Sequence, residues 1–171
     1  MDRRGFSGTL TAAAAVGSAI NLEDCSGIVP DAFFIATWNN QEAVRTAQES
    51  YLSSSALLAS IVKGINTVED NPADQSVGFG GRPDREGVVT LDACVRDHQG
   101  NAGSVVFLQN FKHAISIAND VMLHTPHVIL AGEGARQFAL SRGYKETSLL
   151  TSDAQKQYEK WLKEKEYKPI I

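Results

Sequence analysis

Between residues 76 and 94 the sequence reads SVGFGGRPDREGVVTLDAC, with Gly78, Gly80, Gly81 and Gly87 in one short window and an apolar run directly after it. No other feature constrains the fold as tightly. Glycines clustered this way let backbone come close to backbone or to a ligand. A phosphate cradle needs its glycines to open a helix, whose first N–H groups face the anion. Here they open the strand-like VVTLDACV, and no GK[ST] follows, which argues against phosphate. Pro72 and Pro83 bracket the loop, and Asp70, Asp74, Asp84 and Glu86 make it acidic. Carboxylates can hold a hard cation, but these lack the alternation of a calcium loop and read as solvated charges.

The periodicity around the loop is that of an α/β (α+β) protein. DAFFIATW, residues 31–38, is a short continuous apolar run that suits a strand buried on both faces. Residues 41–65 carry apolar side chains at helical spacing without proline, as one long helix or two, with Ser53, Ser54 and Ser55 as the break. VVTLDACVRD and AGSVVFLQN, joined at His98-Gln99-Gly100-Asn101, read as a hairpin. A helix follows over 113–123, then a short strand over 127–131 and a helix over 133–142 stopped by Gly143. Ser152-Asp153 is placed to cap a last helix, with Trp161 and Leu162 on its apolar side.

At 171 residues one domain is the natural count. A net charge of -4 offers no basic field for nucleic acid or anionic lipid. Two cysteines, Cys25 and Cys94, make no disulfide framework, and Cys94 within VVTLDACV reads as a small buried hydrophobe. Residues 1–30 read as an export signal and linker: Arg3-Arg4, then an uncharged alanine-rich run, then Gly17-Ser18-Ala19. The paired arginines point to a twin-arginine signal and to the bacterial periplasm.

Other candidates for chemistry are weaker. His124-Thr125-Pro126-His127 has an HxxH look, but Pro126 interrupts the helix that would align both imidazoles, and no third ligand is spaced for a metal. Trp38, at the exit of AFFIAT, is either core or a flat wall for a ligand.

DAFFIATWNN, VEDNPADQSVGFGGRPDREGVVTLDACVRD, KHAISIANDVMLHTPHVILAGEGARQFALSRGYKETSLLT and EKWLKEKEYKPI together resemble the α portion of glycosylasparaginase, a branch of the N-terminal-nucleophile hydrolases. The resemblance runs in order from about 35 to 171, and GGRPDR, TPHV and YKPI are closer to bacterial than to animal members. It implies half of an αββα four-layer sandwich, with 31–171 as the α-subunit part of one precursor and the β-subunit part absent from this sequence. The family's precursor cuts itself before a threonine in a His-Asp-Thr segment. The new N-terminal threonine attacks the side-chain amide of a glycosylated asparagine, its own amine, with an unperturbed pKa of about 7.7–8.0, taking the hydroxyl proton. No cofactor or metal enters.

No His-Asp-Thr occurs in this sequence, so the resemblance assigns it no catalytic residue. It implies substrate binding at Trp38 and active-site support at Ser76 with Gly78, Gly80 and Gly81. The implied partners are the chain's own β portion, a dimer of αβ units and the small glycosylated asparagine, with no nucleic acid or membrane. Two departures stand out: Asn40 replaces the family's usual phenylalanine, and YLSSSALLASIVKG lacks its paired glycines. Two alternatives remain open, a truncated inactive homologue and an exported ligand-binding module.

Overall fold

The computed structural model describes residues 32–164. The expected export signal, Cys25 and the YKPI segment lie outside them. Within them the elements run α1 (Gln41–Ser54), α2 (Leu57–Glu69), β1 (Thr90–Arg96), β2 (Ala102–Gln109), α3 (Ala114–His124), β3 (Ile129–Ala131), α4 (Gly132–Ser141) and α5 (Ser152–Glu164).

The two first helices form a hairpin whose break is at the serine triplet. Ser53 and Ser54 hydroxyls both donate to the Ser50 carbonyl, at 2.8 and 2.7 Å, competing with the helix's own bonding. Ser55 then turns left-handed at φ +56° and donates its N–H to Tyr51 O at 2.7 Å. Gly64 brings α2 close to α1, since a Cβ there would collide with the Ala43 carbonyl oxygen.

The sheet has the order β1-β2-β3. β1 and β2 are the expected antiparallel hairpin, with Leu91 opposite Leu108 and Val95 opposite Gly103. Asp97 closes its turn, accepting the N–H groups of Gln99 and Asn101 at 2.9 and 2.8 Å. β3 runs parallel to β2, with Leu130 beside Val105, as a crossover through α3 requires. The register slips between Leu91 and Ala93. At this bulge Phe107 takes φ +54° and donates its N–H to Asp92 Oδ1 at 2.8 Å.

Helices α3 and α4 cover one face of the sheet. Val105, Leu108, Phe111, Ile117, Ala118 and Val121 are buried there. α3 lies close because Gly103 has no side chain: a Cβ would meet the Ala118 carbonyl and Met122 N. The opposite face carries no described element. The burial patterns of the strands turn Asp92, Cys94, Phe107 and Ile129 away from the core.

Three expectations fail. DAFFIATW forms no strand within the described residues, and Ile35 and Trp38 are 91% and 79% exposed. No described strand pairs with it, and an apolar run without a ladder has nothing to satisfy its backbone as a strand. Cys94 is exposed, not buried, because Leu91 and Val95 take the core side of β1 and period two sends Cys94 outward. The cap of α5 is Thr151 rather than Ser152-Asp153: its Oγ1 accepts the Ala154 N–H at 3.3 Å and its carbonyl accepts Gln155 N–H at 2.9 Å. Gly143, at φ +88°, ends the α4 turn as expected.

Two glycine substitutions test this packing. Gly103→Ala, forced against α3, is expected to cost about 1–3 kcal/mol. Gly134→Ala sits in open space in α4 and is expected to gain about 0.5–1 kcal/mol. Urea unfolding of both variants reads the opposite signs.

Candidate functional site

The glycine loop is built on the end of α2. Past Glu69 the chain turns at Asn71, whose Oδ1 accepts the Ala73 N–H at 3.0 Å. Asp74 Oδ1 then accepts the Ser76 N–H at 2.9 Å and the Ser76 hydroxyl at 2.5 Å. This fixes the rotamer and backbone of an otherwise exposed serine. Phe79 donates its N–H to Glu69 O at 2.7 Å, Gly80 to Leu149 O at 2.8 Å, and Arg82 to Gln75 O at 3.0 Å. The loop is thus pinned to α2, to the segment before α5, and to itself.

The glycines serve these approaches. Gly78 sits at φ +63° directly against the Glu69 backbone, where a Cβ would collide with the carbonyl. Gly80, at φ +91°, would bring a Cβ to 2.7 Å from Pro72 O. Gly81 has no such backbone angle, but a Cβ would press to 3.2 Å on both Gly78 O and a Val89 methyl. What the loop approaches is therefore its own chain. Two of its four carboxylates are more than the solvated charges expected: Asp74 anchors Ser76, and Asp84 Oδ1 accepts the N–H groups of Glu86 and Val88 at 2.9 and 3.0 Å, while Asp70 and Glu86 are exposed as expected.

Glu69, which sequence reasoning passed over, is the joint's centre. It is 4% exposed, and its Oε1 accepts the Ile115 N–H at 3.0 Å, at the first turn of α3. Burial, helped by the neighbouring Asp70, pushes its carboxyl up to about 7 against the pull of the Ile115 and Ala114 N–H groups. Asn66 Nδ2 donates to Ser116 Oγ at 3.0 Å on the same seam. Lys112 lies 4.4 Å from the centre of the Phe79 ring and 3.7 Å from Asp70 Oδ1.

Trp38 lines a shallow cleft of ≈ 360 Å³ with Asn39, Asn40, Gln41 and Arg45. A second cleft, ≈ 510 Å³, is lined by Asn39, Asn40, Gln41, Thr67, Asn71 and Asp74. Their shared residues join the tryptophan's surroundings to the turn that carries Ser76. Asn39, Asn40, Gln41, Gln48 and Asn71 set side-chain amides, which both donate and accept, along this surface beside the Trp38 ring. A third cavity, ≈ 580 Å³, lies between the far arm of the loop and α5, lined by Arg82, Arg85, Tyr158 and Trp161 among others. The Tyr158 hydroxyl ties α5 to this arm, donating to Arg85 O at 2.8 Å.

The histidine pair does not assemble. His124 ends α3, Thr125 is extended, and its Oγ1 accepts the His127 N–H at 3.0 Å, which takes His127 off the helix. Among the described residues no group of three or more His, Cys, Asp or Glu is placed to hold a metal ion.

The family profile described as asparaginase matches residues 15–169. Over 169 residues the chain is 44% identical to an N(4)-(beta-N-acetylglucosaminyl)-L-asparaginase of Elizabethkingia miricola, covering 96% of this chain and 50% of that protein. It is 34% identical over 137 residues to the Mus musculus protein of the same name, covering 80% of this chain and 40% of that one. A putative N(4)-(beta-N-acetylglucosaminyl)-L-asparaginase of Drosophila grimshawi is 39% identical over 132 residues, 74% of this chain and 34% of that one. The chain spans about half the length of these curated relatives, or less.

The Ser76 anchor is open to a direct test. Asp74→Ala removes both of its acceptor bonds and is expected to cost about 1–3 kcal/mol, while Asp74→Asn keeps an acceptor oxygen and should lose less. Chemical denaturation of the two variants gives the ranking.

Proposed function

Since the chain belongs to the asparaginase family, we propose that it is the α portion of a glycosylasparaginase, an amide hydrolase that cleaves the bond between asparagine and N-acetylglucosamine. The observation that carries this reading is the ordered 44% identity over 96% of the chain, set against only half of the Elizabethkingia protein. The rest of the enzyme then lies in a β portion, which supplies the N-terminal threonine, the oxyanion donors and the groups that hold the substrate's amino-acid end.

The division of labour follows from the chemistry. The threonine amine takes the hydroxyl proton, the oxygen attacks the side-chain amide carbon, and the amino sugar leaves. Water then attacks the acyl-enzyme and frees aspartate, while fixed hydrogen-bond donors stabilise the oxyanion of each step. In this reading Trp38 is a wall at the mouth of the substrate pocket. Ser76, held by Asp74 and backed by Gly78, Gly80 and Gly81, supports the active centre from below. Asn40, where the family usually has phenylalanine, makes the rim more polar.

The uncovered sheet face supports the same reading. Phe107 and Ile129 stand 53% and 56% exposed on it, with Val88 at 37% beside β1. A second sheet from the β portion would cover it, completing an αββα four-layer sandwich, two such αβ units then pairing. The exposed Ile35 and Trp38 side chains would gain neighbours in the same assembly. Residues 1–30 would direct the precursor to export.

Two measurements test this. The product of a reading frame that includes the His-Asp-Thr segment is expected to release aspartate and amino sugar from glycosylated asparagine, with this chain alone inactive. Hydrolysis by the isolated chain contradicts the assignment. Made alone, the chain is also expected to self-associate through its apolar sheet face; a monodisperse monomer in light scattering, with a cooperative melt, counts against the missing half.

A further inference from the structure

We propose that Glu69 is a proton-operated latch for the glycine loop: protonated, it holds the loop closed against the N-terminus of α3, and ionised, it loosens that joint. The device concerns the loop itself and is independent of the reaction the site serves.

One residue holds both sides of the joint. The Glu69 carbonyl takes the Phe79 N–H at 2.7 Å, and its carboxyl Oε1 takes the Ile115 N–H at 3.0 Å. Gly78 is pressed against the same peptide, so the loop cannot shift without moving Glu69. The other carboxyl oxygen, Oε2, is buried with no hydrogen-bond partner among the described residues. A neutral acid tolerates that far better than a carboxylate, whose second oxygen demands water or a donor. Opening the joint supplies the water.

The surrounding charges do not relieve the carboxylate. Asp70, next along the chain, adds a second negative charge. Lys112 Nζ and His113 Nε2 face Asp70 instead, at 3.7 and 3.0 Å from its carboxylate. Tyr144, beyond α4, has its phenol raised by burial and by Asp120, with Glu69 adding the smallest share. Residues 77–81 of the loop bring no titratable side chain. The positive end of α3 favours an anion, but desolvation outweighs it, and the carboxyl stands at about 7 instead of the ordinary 4.5. Folding therefore favours the protonated form. Its stabilising contribution is complete below about pH 4.5 and is lost as pH rises through about 7.

Deuterium exchange of the full chain reads the latch directly, with protection normalised to intrinsic rates at pH 6 and pH 8. In peptides covering 76–81 and 113–117, protection is expected to fall about tenfold over that interval, the ratio linkage gives for a carboxyl that opening returns to its ordinary value. Glu69→Gln keeps an acceptor for Ile115 and cannot ionise, so its protection should not change with pH. His113→Gln removes the imidazole that faces Asp70 and should leave the fall intact. Flat protection in the unmodified chain overturns the latch, as does a fall that persists in Glu69→Gln or disappears in His113→Gln. If Glu69→Gln does not fold, the unmodified chain and His113→Gln decide between carboxyl and imidazole.

Discussion

The peptide and carboxyl of Glu69 are the point on which the rest of the structure turns. Its carbonyl receives the glycine loop and its carboxyl receives α3, so the end of α2, the loop and the helix that covers the sheet share one anchor. Gly78 exists to make this contact, since any side chain there would collide with the Glu69 backbone. The position of Ser76 follows from the same anchor, through a turn only a few residues long. A buried acid at such a joint is costly, and its cost is what makes the loop's order depend on pH.

The sheet divides the molecule into a finished side and an unfinished one. On the side of α3 and α4, Val105, Leu108 and Phe111 pack with small residues at the closest points, Gly103 and Ala118. On the other, the bulge at Phe107 turns an aromatic ring outward with only partial cover. Monomeric proteins seldom leave a sheet in this state. The proposed partner layer rests on that asymmetry, and the chain matches only half of the Elizabethkingia protein.

Local signals were legible in the sequence where the backbone alone decides the outcome. The serine triplet marks the break between α1 and α2, Gly143 ends a helix, and the His98–Asn101 turn joins a hairpin, each because a short-range hydrogen bond or a positive φ fixes it. What depends on distant packing was not legible. Continuous apolar character cannot tell a strand with neighbours from the exposed run at 32–38. Cys94 has the composition of a core residue, yet the phase of β1 sends it outward. Glu69 looks like any acidic residue at a helix end; its role appears only once α3 is placed 46 residues further along the chain. The resemblance pointed to Trp38 and Ser76, while the amide-lined clefts that join their surroundings involve Asn39, Asn71 and Asp74, which carry no motif of their own.

In the proposed enzyme the open face of the sheet is an internal surface. Cys94 is an exposed free thiol on that face, which makes it a built-in reporter. Thiol alkylation followed by peptide mass analysis, on this chain alone and on the protein that includes the β portion, measures its accessibility. Rapid modification of Cys94 is expected in the isolated chain, with strong protection in the complete protein. Equal, rapid modification in both would contradict the proposal.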